Sequence, residues 1–217
     1  MLRVLGLCTS LALLTGLIVG CGGVQQQLSW TPTDPAAAPA DSPAAAVTLV
    51  PVADTILYEG APRANYGTAI RLYCGNYPDG QKRRALMRFD LSAIPTSATV
   101  TRATLRIYLY AVYQGTDRYR VHRVTKAWQE RGATWSNMNA AYDPTASATR
   151  AIRVGMQGQY AQFNITTLVQ RWLTTPSTNY GLLTRGTEGA AHLGIVVGSR
   201  EYLTPSWRPK LTVVYTP

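Results

Sequence analysis

The segment Arg83–Val112, RRALMRFDLSAIPTSATVTRATLRIYLYAV, decides the fold. Between Val100 and Val112, Ala103, Leu105, Ile107, Leu109 and Ala111 fall on one face; Arg102, Thr104, Arg106, Tyr108 and Tyr110 fall on the other. A period of two, rich in β-branched and aromatic residues, marks a half-buried strand. Arg84–Leu91 alternates in the same way, with Ala85, Met87, Phe89 and Leu91 toward a core and Arg84, Leu86, Arg88 and Asp90 opposite. The Ile94-Pro95 turn region separates the two. The expectation is a pair of central, neighbouring strands in an antiparallel sheet.

Outward from this pair, β signals dominate. Val47–Tyr58 holds a first strand, Ala69–Gly75 a short one, and Asp79-Gly80 is a hairpin dipeptide. Asp117–Val124, Ala151–Val154, Tyr160–Asn164, Gly181–Thr184, Leu193–Gly198 and Lys210–Tyr215 also read as strands, with Glu59–Thr68 and Thr125–Pro144 as loops. The period changes once. Ile165, Leu168, Val169 and Trp172 follow the i, i+3, i+4, i+7 spacing of an amphipathic helix, with Asn164 as its N-cap and Pro176 beyond its end. Many short strands and one short helix predict an all-β fold, a β-sandwich of jelly-roll type, with a barrel as the alternative.

The N-terminal region is of a different kind. Arg3 is the only charge before a small and apolar run, Val4–Val19, which is short for a membrane span. Residues 1–20 read as a signal peptide, and Ile18-Val19-Gly20-Cys21 resembles a bacterial lipobox. That resemblance implies cleavage before Cys21 and lipid on its thiol and amine, and Gly22-Gly23 implies the outer membrane. An ordinary secretory signal is the alternative. Residues 21–46, rich in Pro and Ala, read as the lipidated cysteine and an extended tether, and residues 47–217 as one domain. Cys8 lies in the signal, so Cys74 is the one cysteine of the domain; with no partner for a disulfide or a zinc site, it reads as buried on a strand.

Charge narrows the function. With Arg3, Asp34 and Asp41 outside it, the domain holds 20 basic and 9 acidic residues, and only three of the basic ones are lysines. The guanidinium fork pairs bidentately with carboxylate, sulfate or phosphate, so an arginine-rich surface suits an acidic polymer. Arginine and alanine enrichment from a GC-rich genome is the competing explanation. Export leaves little reason for a nucleic-acid partner, and no recognition motif is present.

Six segments in order carry a family resemblance: PVADTILYEGAPRANYGT (51–68), RRALMRFDLSAIPTSATVTRATLRIYLY (83–110), VHRVTKAWQERGATW (121–135), FNITTLVQRWL (163–173), NYGLL (179–183) and SREYLTPSWRPKLTVVY (199–215). Together they resemble DNRLRE-domain proteins, a group overlapping carbohydrate-binding module family 96. The resemblance implies a β jelly roll of secreted and surface proteins, often appended to polysaccharide-degrading enzymes. Some members are associated with acidic polysaccharides such as alginate.

Three groups of residues are candidates for a site. Arg106, Tyr108 and Tyr110, joined by Arg84 and Arg88 and then by Arg118 and Arg120, would form an outward face where phenols stack on sugar rings and arginines reach uronate carboxylates. Structural ion pairs and a second buried layer are the other explanation. Asp54, Asn65 and Glu201 would bring oxygens to a structural calcium, which takes six to eight such ligands; Asx-turns account equally for Asp54 and Asn65. In the WQERGATW loop, Trp128, Glu130, Thr134 and Trp135 would stack a sugar, or pack the end of the sandwich with Glu130 in a salt bridge.

Catalysis finds little support. His122 and His192 are seventy residues apart, and a polysaccharide lyase would need His122, Tyr119 and Arg120 forced into base and neutraliser roles. No carboxylate pair, Gly-x-Ser-x-Gly elbow or phosphate loop is present. The sequence therefore predicts a lipid-anchored, non-catalytic envelope module that binds an anionic polysaccharide. The alternative is a structural or adhesive envelope protein with a protein partner.

Overall fold

A computed structural model describes residues 43–189 and 193–217. The signal peptide, Cys21, nearly all of the tether and His192 lie outside the described residues. Eleven strands run in chain order: β1 (Ala45–Leu49), β2 (Pro51–Tyr58), β3 (Arg71–Asn76), β4 (Lys82–Phe89), β5 (Thr99–Val112), β6 (Thr116–Val124), β7 (Tyr142–Arg153), β8 (Tyr160–Asn164), β9 (Leu182–Arg185), β10 (Gly194–Gly198) and β11 (Lys210–Thr216). The helices are α1 (Trp135–Met138) and α2 (Thr166–Thr174), so the described residues hold two helices where one was expected.

Every strand pairing is antiparallel, in the order β1-β11-β5-β10-β3-β4-β9-β6-β7, with β2 on β4 and β8 on β5. The sheet curls into an all-β sandwich. Its pivot is β3 against β4, which share only the pairs Gly75–Arg83 and Asn76–Lys82 beside the Asp79-Gly80 turn. Ala85, Met87 and Phe89 of β4 and Ala103, Leu105, Ile107 and Leu109 of β5 meet in one core, as their alternation predicts. Helix α2 contributes Leu168, Val169, Trp172 and Leu173 to that core. Ile165 stands just before the helix, and Asn164 Oδ1 accepts from the Thr166 N–H at 3.1 Å and its hydroxyl at 2.7 Å.

Three expectations need correction. The strands β4 and β5 are not neighbours: β4 pairs with β2, β3 and β9, and β5 with β11, β10 and β8. In the strand order β10 and β3 stand between them. The segment read as a loop from Thr125 to Pro144 contains α1 and the start of the twelve-residue β7, whose Thr, Ala and Ser residues give almost no apolar alternation. That segment also builds a second, smaller core: Trp128, Ala133 and Met138 cover Leu86 of β4 and Leu183 of β9 from outside. The first strand starts at Ala45, which pairs with Tyr215, two residues inside the stretch read as tether.

A candidate carbohydrate-binding surface

On β5, Arg106, Tyr108 and Tyr110 stand on the outward side together, as their spacing predicts. The connection after β10 folds back over them. Trp207 stacks on Tyr108 with centroids 4.4 Å apart and planes at 13°, and Tyr202 packs 5.2 Å from Trp207. Tyr160 of β8 meets Tyr108 edge-on at 5.3 Å, and its hydroxyl donates to the Ser206 carbonyl. Tyr110 stays open, 39 % exposed. The guanidinium of Arg71, on β3, lies 3.9 Å over the Tyr110 ring, and that of Arg106 lies 4.5 Å over Tyr160. Such contacts contribute about 0.5–2 kcal/mol each and hold the cations over the aromatic rings. No ion pair joins Arg71 or Arg106 to a carboxylate among the described residues.

The remaining arginines assigned to that face sit elsewhere. Arg84 is buried under the 125–141 segment, in a bidentate pair with Glu188: Nε–Oε1 and Nη2–Oε2 are both 2.6 Å. It also donates to the Asn139 carbonyl and lies 4.7 Å over Trp135. Arg88 donates to the Trp128 carbonyl at 3.2 Å, while Asp90 accepts from Ser92, so Arg88 and Asp90 are not an ion pair. Arg118 and Arg120 point outward from β6, which joins β4, the strand of Arg84, through β9. Parity along a strand assigns two sides; it does not say which side of β4 shares a surface with which side of β5.

The carboxylates of Asp54, Glu130 and Glu201 converge, each offering an oxygen within 4.8 Å of the others. Asn65 is bonded to the backbone of Glu130, a member of this cluster. Its Oδ1 accepts from the Gly67 N–H, and its Nδ2 donates to the carbonyls of Glu130 and Ala133, both at 2.7 Å, clamping two loops. Arg200 sits among the acids. Its Nη1 is 2.8 Å from Glu130 Oε2 and 3.3 Å from Glu201 Oε1, and its N–H donates to Asp54 Oδ2 at 2.7 Å. Burial pushes the Asp54 carboxyl up to about 8, against that N–H and with the charges of Glu201 and Glu130 adding to it. The donor set suits a hard dication, but the Arg200 guanidinium already neutralises part of it.

Trp128 and Trp135 divide the two readings of their loop. Trp128 is buried and donates from Nε1 to the Tyr180 carbonyl at 2.7 Å; Trp135 is half-buried at the rim of a cleft. Glu130 makes its salt bridge to Arg200, and Thr134 caps α1 with Asn137. The groups proposed for a lyase do not assemble. Tyr119 points into the core, where burial holds its phenol far above its usual range, while Arg120 points out. His122 is buried with Nδ1 2.8 Å from the Asp143 carbonyl, and burial lowers its pKa. Cys74 is 1 % exposed, as expected, and burial pushes its thiol up to about 12.

Arg71, Tyr160, Tyr202 and Trp207 were not singled out in the sequence. Outward parity on β3 and β8 would have found Arg71 and Tyr160; the fold-back of the SREYLTPSWRP segment has no periodic signal. The profile of carbohydrate-binding module family 96 matches residues 45–215. The chain belongs to carbohydrate-binding module family 96. No curated protein matches the sequence. A carbohydrate is thus the partner, and membership of a binding-module family speaks for a non-catalytic role.

Proposed function

We propose that this family 96 module binds an acidic polysaccharide, an alginate-like or other uronate polymer, on the outward face of β5. The observation that carries the reading is the pairing of Arg71 with Tyr110 and of Arg106 with Tyr160, cations laid on rings beside an exposed phenol with no carboxylate to neutralise them. A sugar C–H face packs against exposed Tyr110, and the guanidinium edges reach the uronate carboxylates. A panel of acidic and neutral glycans tests this. Alginate or pectate binds, neutral glycans do not, and affinity falls with added salt as exposed charges are screened. Tyr110→Ala with Arg71→Gln lowers affinity by about tenfold or more, since a hydrogen bond to a charged group contributes roughly 1.5–3 kcal/mol. Equal binding to neutral glycans, or affinity indifferent to salt, refutes it.

The proposal has two further parts. Cys21 carries the lipid that anchors the module in the bacterial envelope, in the outer membrane; mass spectrometry of the N-terminal peptide from the producing cell tests this. Calcium, held by Asp54, Glu130 and Glu201, competes with Arg200 for their carboxylates. Added calcium then raises the melting temperature, and no shift at millimolar calcium refutes the site.

A further inference from the structure

We propose that the opposite side of the sandwich is a second surface for an anionic glycan chain, so that one molecule bridges two chains; the inference rests on the glycan reading above. The surface is the outward side of β6, β7 and β9. Arg118 and Arg120 alternate there with Tyr119 and Val121, which enter the core. Arg120 stands directly opposite Arg185 of β9 on one side and Thr149 of β7 on the other. Arg118 faces Ala151, and Arg153 faces Thr116. Like charges set opposite each other on a sheet face are unfavourable and are normally offset by carboxylates. Here the carboxylate in reach is Glu188, and it is spent: Arg84 takes it bidentately, and Arg185 Nη2 holds Oε2 at 2.9 Å.

Asp117 turns inward and accepts from the backbone N–H groups of Arg118 and Thr187. No ion pair involves Arg118, Arg120 or Arg153 among the described residues. Two residues of strand place Arg118 and Arg120 about 7 Å apart. Exposed Thr116, Thr149 and Ala151 between them are too small to cover the guanidinium heads. The row runs through Arg185, which hydrogen-bonds the Tyr142 hydroxyl, into a cleft of about 610 Å³ lined by Glu59, Arg84, Trp135, Asn139 and Tyr142. A file of cations ending between two half-buried rings matches a polymer that carries carboxylates and apolar ring faces together.

The test is the stoichiometry of tetragalacturonate on the purified full chain in detergent, by isothermal titration. Wild type takes two equivalents. Arg118→Gln/Arg120→Gln/Arg153→Gln, three substitutions on an outward surface, takes one and keeps the wild-type melting temperature. Arg71→Gln/Tyr110→Ala also takes one. A single equivalent in wild type, untouched by the triple substitution, overturns the second surface and leaves the β5 proposal standing. A single equivalent abolished by the triple substitution and untouched at Arg71 and Tyr110 overturns the β5 proposal and the bridge with it. No uptake overturns both.

Discussion

Replacing Glu188 with Gln tests the account of the layer that carries Arg84. The Glu188 side chain is 5 % exposed, and three guanidinium nitrogens contact it: Arg84 Nε and Nη2 at 2.6 Å each and Arg185 Nη2 at 2.9 Å. Gln keeps the shape and removes the charge, leaving Arg84 buried against Trp135 and Tyr142 with no counterion. Removing one partner of a buried pair costs about 3–5 kcal/mol. For a domain of this size each kcal/mol moves the melting temperature by about 2–4 °C, so the expected loss is roughly 6–20 °C. Arg84→Met should cost less, about 1–3 kcal/mol, because Arg185 still neutralises Glu188 and the methionine fills the aromatic slot. The double variant removes the stranded charge and should cost less than the sum of the two, with a coupling of about 0.5–3 kcal/mol. Urea unfolding of the four proteins measures all of this. A Glu188→Gln cost under about 1 kcal/mol, or strict additivity, would show that the pair is solvated and the argument wrong.

With chelator present, stability should fall as pH rises from about 4 to about 8. In that interval folded Asp54 keeps a proton that the unfolded chain has released, and Asp54→Asn should flatten the profile in thermal melts across the range. Cys74 should resist iodoacetamide in the native protein and react fully in denaturant, as read by peptide mapping; native labelling would contradict its burial. Gly181→Ala should cost more than about 1 kcal/mol by urea unfolding, because its φ of +84° is unfavourable for alanine and a Cβ would stand 2.2 Å from the Met87 carbonyl oxygen.

The strands around Arg83–Val112 were legible because Ala85, Met87, Phe89 and Leu105, Ile107, Leu109 alternate with charged and aromatic residues; apolar periodicity is a direct record of burial. Trp172 and Leu168 recorded α2 in the same way. Only the end of β7, around buried Ile152, was legible; its first part was not, because one side of it faces solvent and the other is lined largely by alanine. Arg106, Tyr108 and Tyr110 came together as read, since one strand fixes their parity. Arg84 and Arg88 did not join them, because the path of the chain between β4 and β5 is a matter of topology that local pattern does not encode. Asp54 and Glu201, 147 positions apart, meet with Glu130: the sequence supplied carboxylates, and packing chose which of them meet.

The first strand has a mechanical consequence. Five residues long and last in the strand order, β1 is bonded through its ladder to β11 alone, with the Thr48 and Thr212 hydroxyls 3.0 Å apart beside it. Any pull exerted on the domain through the chain upstream of it enters at Ala45–Leu49. Under load this strip would let go before the sandwich of longer strands deforms, giving slack while the rest of the domain keeps its shape.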